Sequence, residues 1–322
     1  MTAISVVIPA YNAERTILET LASVQQQTYS DFELIVINDG STDRTLELVN
    51  TVKDPRLKIF SYENGGISVT RNRGISHSSG KFISFLDADD LWTKDKLELQ
   101  IAALQQHPEA GVAYSWTCYM SENGETFHPG ESLFFEGNVY SHLLVANFLA
   151  NGSNPLICKQ AIDSVKGFDT ELISSEDWDF YLRLAVRWPF VVIPKTQVLY
   201  RRSLGGLSFK AEIMQKYAFI VLDRAFQSAP PELQCLKIQS IVNVYQYLTG
   251  IRLARVTDAD DIKQAGHNLQ MAIRLYPRIL LNRLTQRHLI IWLLMQLLSP
   301  KVAKYFIRQV SMVRTTTDPR LK

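Results

Sequence analysis

With 322 residues, 46% hydrophobic and 20% charged, the chain can bury one large core with an appendage or two cores, and it is neither disordered nor fibrous. Its three cysteines, Cys118, Cys158 and Cys235, lie too far apart to suggest a disulfide framework or a zinc site, which fits a reducing compartment. The net charge of +2 is unevenly spread: from Arg274 onward ten Lys/Arg face one acid, Asp318, while the remainder holds 24 of the 34 bases and 31 of the 32 acids. An acidic body and a basic tail are expected to meet different partners.

No basic segment precedes an apolar run at the start of the chain, so no signal peptide is expected. Residues 4–8 are a β-branched run ended by Pro9, a buried strand. Residues 13–27 place Ile17, Leu21 and Val24 at helical spacing. A second strand at 33–37 stops at Asn38-Asp39-Gly40, where Ser41 or Thr42 can cap a helix carrying Leu46 and Val49. Residues 57–61 read as a third strand, and Gly65-Gly66 as a turn before a short helix over 68–76. The fourth strand is 82–86, followed by a helix over 94–106 with Leu97, Ile101 and Leu104 inward.

Short strands alternating with helices predict an α/β fold with a parallel, doubly wound sheet. Ligands of such sheets bind beyond the carboxyl ends of the strands. Residues 9–12, 38–40 and 87–90 all lie at that edge.

The acids Asp87, Asp89 and Asp90 follow directly on the fourth strand. Like charges so crowded call for a cation, and carboxylates at i and i+2 of an extended segment share a side. That suits Mg²⁺ or Mn²⁺ held partly by a substrate's phosphates. The alternative is a solvated turn capping a helix near Trp92.

Residues 112–116 can add a strand and 118–135 a loop or hairpin turning at Asn123-Gly124. A helix is expected over 140–150, then a short strand and helix closed by Gly167. Ser174-Ser175-Glu176-Asp177-Trp178 opens a helix, whose first-turn acids also suit the helix dipole. Residues 190–193 and 198–200 are strand-like, leading to Tyr200-Arg201-Arg202 and Gly205-Gly206. Beyond Lys210 only long helices are expected, at 212–227, 235–255, 259–275 and 283–298.

The segments Ser-Val-Val-Ile-Pro-Ala-Tyr-Asn (5–12), 23–40 with Gln27-Thr28 and Phe32-Glu33, Asn64-Gly65-Gly66 through Arg71-Asn72-Arg73-Gly74, Asp87-Ala88-Asp89-Asp90 and Glu176-Asp177 together resemble a family 2 glycosyltransferase of GT-A fold, over residues 3–210. The resemblance implies a catalytic domain at 1–210, with a nucleotide-sugar half at about 1–110 and an acceptor half at about 111–210, and a helical region at 211–322. It implies an inverting, metal-dependent transfer of one sugar from a nucleotide sugar, UDP-linked by expectation, to a glycan or lipid-linked acceptor in envelope or exopolysaccharide synthesis. Asp89 would bind the metal, and Asp87 the ribose or a metal-bound water. Asp39 would accept from uracil N3. Pro9 and Tyr11 would line the donor site, although a loop aromatic covering the sheet edge is an equal reading of Tyr11. Arg71 would meet the phosphates, against the reading of a surface helix arginine. Asp177 would be the general base, with Glu176 and Asp90 in support.

The sequence departs from the family at three points. Asn38 stands where an acid is common. The Gln-X-X-Arg-Trp signature of processive synthases is missing after Asp177, which favours single additions. Ser203 replaces a common histidine. Rival readings are a sugar nucleotidyltransferase, lacking here its glycine- and lysine-rich loop, and a non-catalytic nucleotide-sugar-binding module; a glycosidase pair leaves the sheet-edge loops unexplained. Nucleic acid is not an expected partner. The apolar stretch 288–298, flanked by bases, is too short to span a bilayer. It suits peripheral contact through 278–314 at the inner face of the plasma membrane, or packing on the domain or in a homodimer.

Overall fold

The computed structural model describes residues 2–202, 210–256 and 258–298. They form two compact units. The first runs to the end of the last strand and takes in Asp223–Ala229; the second holds the remaining C-terminal helices.

The first unit is built on one nine-stranded sheet. β1 (Ile4–Ala10), β2 (Phe32–Asp39), β3 (Leu57–Tyr62) and β4 (Phe82–Phe85) lie in the order β3-β2-β1-β4 and pair in parallel. The helices α1 (Ile17–Gln25), α2 (Thr45–Thr51) and α3 (Ile67–His77) make the crossovers. Every residue of β1 and β2 is buried, as continuous apolar runs covered on both faces require. On one face Ile17, Leu21 and Val24 of α1 share a core with Ile4, Val6, Ile8, Leu34 and Val36.

Beyond β4 the sheet becomes mixed. β8 (Leu156–Cys158) is antiparallel to β4, β6 (Val112–Ser121) is antiparallel to β8, and β9 (Phe190–Arg202) runs parallel to β6. β6 is longer than its apolar pattern suggests, because β7 (Phe127–Pro129) folds back on it through the expected hairpin, with Gly124 at φ +74°. The two strand-like pieces at 190–200 are one strand with bulges in its pairing to β6. Leu91-Trp92 is β5, an edge strand against β9, so the helix expected over 94–106 begins only at Lys96. α4 (Lys96–Gln106), α5 (Tyr140–Val145), α6 (Lys159–Val165) and α7 (Glu176–Ala185) complete this part. α5 stops five residues short of the expected helix end, and Ala150 there adopts φ +71°.

Glu33 shows why a charged residue can sit inside β2. It is 4% exposed, and its carboxylate accepts from Ser5 Oγ (2.6 Å), Ser79 N (2.6 Å) and Lys58 Nζ (2.7 Å). Burial opposes the charge, but these donors outweigh it and hold the pKa down to about 2.

α8 (Ala211–Ser228) contributes to both units. In the second unit α9 (Lys237–Arg255), α10 (Ala259–Leu275) and α11 (Arg283–Leu297) enclose a small core of Leu253, Val256, Ile262, Ala265 and Met295. A 3₁₀ turn, Pro231–Leu236, replaces the first turn expected of α9. No helix of the described residues is long and apolar enough to cross a membrane. Ser203, Gly205-Gly206 and the basic tail beyond Leu298 lie outside the described residues.

Candidate active site

β4 delivers the acidic cluster to the carboxyl edge of the sheet, but as a tight turn: Asp90 N–H donates to Asp87 O at 3.0 Å. The same-side argument for an extended segment therefore does not describe these residues. Their proximity comes from the turn, which is fixed from three sides. Thr16 and Thr20 donate to Ala88 O (2.8 and 3.0 Å), and Thr20 also to Asp90 O (2.9 Å). Ser153 Oγ accepts from Asp87 N–H at 3.0 Å and donates to Asp90 Oδ2 at 2.5 Å. Arg201 N–H donates to Asp90 Oδ1 at 2.8 Å, and its Nε to Asp89 O at 2.8 Å.

Asp90 is thus fully buried with both oxygens engaged. Burial, then Asp89 and Asp87, push its pKa well up. It holds the turn together and faces no open space. Asp87 and Asp89 remain. Burial, then the charge of Asp87, raise Asp89 to about 6. Two such oxygen donors fit a hard divalent cation. Among the described residues no group of three or more His, Cys, Asp or Glu could hold a metal ion, so further ligands would come from substrate or water.

α3 joins this turn to two other segments. Arg71, expected either on the surface or at phosphates, is 2% exposed. Its Nη2 donates to Asp87 Oδ1 and its Nη1 to Glu176 Oε1, both at 2.7 Å. The guanidinium stands 5.2 Å over the Phe168 ring, and Phe168 stacks on Phe180 of α7. Burial opposes the charge, but Asp87 and Glu176 more than compensate and keep Arg71 a fixed cation. Gly152 makes room for it: a Cβ there would fall 2.2 Å from Arg71 Nη2.

Two residues with left-handed backbone flank this junction. Ser175 (φ +57°) directly precedes Glu176-Asp177, and Ala150 (φ +71°) leads into Gly152-Ser153. Strain at non-glycine residues beside a charged cluster is typical of functional sites. Asp177 opens α7 and is partly buried. Asn147 Nδ2 donates to its Oδ2 at 3.3 Å, and Trp178 N–H to its Oδ1 at 2.7 Å. Burial and neighbouring Glu176 outweigh Arg71 and lift the Asp177 pKa to about 7.

Two residues along α3, Arg73 reaches the other end of the site. Its Nη1 donates to Asp39 Oδ1 at 2.9 Å, beside Gly65 N–H (2.9 Å), while Gly66 N–H (3.0 Å) takes Asp39 Oδ2. Gly66 sits at φ +83°, a conformation that lets successive amides converge on one carboxylate. Tyr11, 54% exposed, lies in the loop after β1. Pro9 is buried within β1 opposite Ile37. Asp39 ends β2 and Asp87 follows β4, with β1 between, so about 10 Å of sheet separates the two strand ends.

Of the residues singled out in the sequence, Asp87, Asp89, Asp90, Arg71, Glu176 and Asp177 therefore converge, and Asp39 is tied to them through α3. Ser153 and Asn147 were not anticipated, and Arg73 and Arg201 stood in quoted segments without a role of their own. Their only local signals are modest: an arginine two positions from Arg71, and a serine after a Gly in an otherwise polar loop.

A family model described as "Glycosyltransferase like family 2" matches residues 5–249. The chain is 42% identical over 102 residues, 31% of its length and 40% of the relative's, to the Escherichia coli UDP-Glc:alpha-D-GlcNAc-diphosphoundecaprenol beta-1,3-glucosyltransferase WfgD. Against the matched Rickettsia glycosyltransferases it spans a quarter or less of the relative's length (24%, 24% and 20%). Among solved structures, Staphylococcus aureus TarS 1-349 in complex with UDP-GlcNAc matches at TM-score 0.55 and 21% identity, over 85% of this chain and 89% of that one. Pyrobaculum calidifontis mannosyltransferase PcManGT in complex with GDP-Man and Mn²⁺ matches at TM-score 0.57 and 18% identity, over 98% and 88%. These neighbours share the GT-A fold, and with the family match over most of its length the chain belongs to the family 2 glycosyltransferases.

Proposed function

We propose that this enzyme moves one sugar per turnover from a UDP-sugar to a hydroxyl of a glycan or lipid-linked envelope acceptor, with inversion and with Mg²⁺ or Mn²⁺ bound. The observation that carries the reading is the single buried guanidinium of Arg71, which holds Asp87, at the donor edge of the sheet, and Glu176, beside Asp177, in one rigid unit. On this reading residues 1–210 are the catalytic domain and 211–322 a helical region.

The base end of the site favours uracil. Three donors already occupy Asp39, and a carboxylate has about four acceptor positions. One remains for a ring N–H, with Arg73 as a neighbouring donor for a ring carbonyl. Uracil presents such an N–H flanked by carbonyls, and guanine a comparable edge; adenine and cytosine do not. The E. coli relative named above is a UDP-Glc-dependent glucosyltransferase by its name, which supports uracil over guanine.

Asp89 and Asp87 would hold the cation, which when bound stabilises charge on the departing diphosphate. Asp177, with a pKa near 7, is matched to accept a proton from the attacking hydroxyl at neutral pH. Asn147 and Trp178 fix its orientation, and Arg71 limits its basicity. A single displacement with one base inverts the anomeric carbon and needs no covalent intermediate.

The test is release of free UDP from a panel of UDP-sugars with Mn²⁺, repeated with EDTA and with GDP-, ADP- and CDP-sugars. A nucleotidyltransferase would instead release pyrophosphate when given a sugar phosphate and UTP. A binding module would be stabilised by donor without releasing UDP, an outcome that would overturn the catalytic reading.

A further inference from the structure

The C-terminal helix α11 carries a surface that sugar transfer does not explain. Its inner side, Thr285, His288 and Met295, is buried in the second unit, and Trp292 Nε1 donates to Ile262 O at 3.0 Å. Its outer side leaves Ile290 59%, Leu293 50% and Leu297 80% exposed. Arg283, Arg287, Ile290 and Leu297 fall along one line of the helix, at spacings of four, three and seven residues. Neither arginine forms an ion pair among the described residues. No Asp or Glu occurs between Asp261 and Asp318.

Large aliphatic side chains clustered on an open face mark a contact surface, and the charge pattern selects its occupant. A second copy of α11 meeting this face about a two-fold axis would bring no acid to Arg283 and Arg287, because none occurs between Asp261 and Asp318. Residues 299–322, folding back, would bring Lys301, Lys304 and Arg308 toward the same arginines. An anionic lipid surface satisfies both halves of the pattern, since acyl chains take up the aliphatic groups and phosphates pair with guanidinium groups. A helix of 15 residues is about 22 Å long, too short to cross a bilayer but suited to lying in its interface.

We propose that the outer face of α11 docks on an anionic bilayer, with Ile290, Leu293 and Leu297 entering the headgroup–acyl boundary and Arg283 and Arg287 holding lipid phosphates. The contact brings the enzyme to the surface where a lipid-linked acceptor would be found. It does not rest on the sugar-transfer reading, because binding is measured without donor or acceptor.

The experiment is co-flotation of the full chain with phosphatidylcholine vesicles with and without phosphatidylglycerol. Binding is expected only to the anionic vesicles and should weaken with salt. Leu293→Glu/Leu297→Glu and Arg283→Glu/Arg287→Glu should each reduce it about tenfold or more. Melting curves check that the variants fold, and Leu293→Ser/Leu297→Ser serves if the glutamates unfold the helix. Absence of binding overturns the proposal. So does equal binding by the variants, which would assign it to residues 299–322, and so does a solution dimer that Leu293→Glu/Leu297→Glu splits.

Discussion

Glu176 Oε1 accepts a 2.7 Å hydrogen bond from Arg71 Nη1, although 105 residues separate the two in the chain. The other terminal nitrogen of the same guanidinium holds Asp87, so the segment after β4 and the start of α7 share one cation. Breaking such a buried group on one side leaves uncompensated charge.

Arg71→Met should therefore destabilise the fold by about 3–5 kcal/mol and abolish transfer. Adding Glu176→Gln should recover part of the loss, measured as a coupling energy in denaturant unfolding. Arg71→Lys should not restore activity, because one ammonium cannot match the planar fork that spans both acids. Strictly additive losses in the double variant would show that the two residues do not act together.

Asp177 should impose an acid limb on the rate near pH 7, the value to which burial and Glu176 raise it. Asp177→Asn should eliminate transfer while donor binding, read by calorimetry, persists. The stability effect has the opposite sense to that of a salt-bridged acid. A raised carboxyl pKa costs stability progressively as pH climbs from the unfolded value toward 7. Asp177→Asn should thus melt above the wild type at pH 8 and converge with it near pH 4.

Asn147 donates to the charged form of Asp177, and its own buried Oδ1 has no hydrogen-bond partner. Asn147→Ala should move the acid limb of the pH–rate profile upward by a few tenths of a unit, since a donor to the carboxylate is lost. A limb that stays in place while kcat falls would assign Asn147 to acceptor contact.

Ser153 links Asp87 N–H to Asp90 Oδ2. Ser153→Ala should loosen the turn and weaken Mn²⁺ binding by about 10–100-fold, the usual effect of removing a residue that supports ligands. Titration followed by tryptophan fluorescence reads it directly, since Trp92 Nε1 donates to Ser153 O.

Glu33 should contribute to acid sensitivity. Its pKa near 2 lies below the unfolded value, so its stabilisation is present above about pH 4.5 and is lost as pH falls toward 2. Glu33→Gln should cost roughly 2–3 kcal/mol at pH 7, with the difference vanishing in strong acid; equal losses at both pH values would count against the assignment.

The sequence alone determined the alternation of strands and helices, because buried parallel strands must be continuously apolar and their crossover helices must carry an apolar stripe. It also located Asp39, Asp87–Asp90 and Glu176-Asp177 at sheet edges and a helix start, since charge after an apolar run is a local feature. What Asp90 and Arg71 do was decided only by the tertiary structure. An acid with both oxygens taken by Ser153 and Arg201, and an arginine buried between Asp87 and Glu176, look locally like any turn acid and any helix arginine. Their partners come from other strands and helices, and neither spacing nor propensity records a pairing between segments that only the closed sheet brings together.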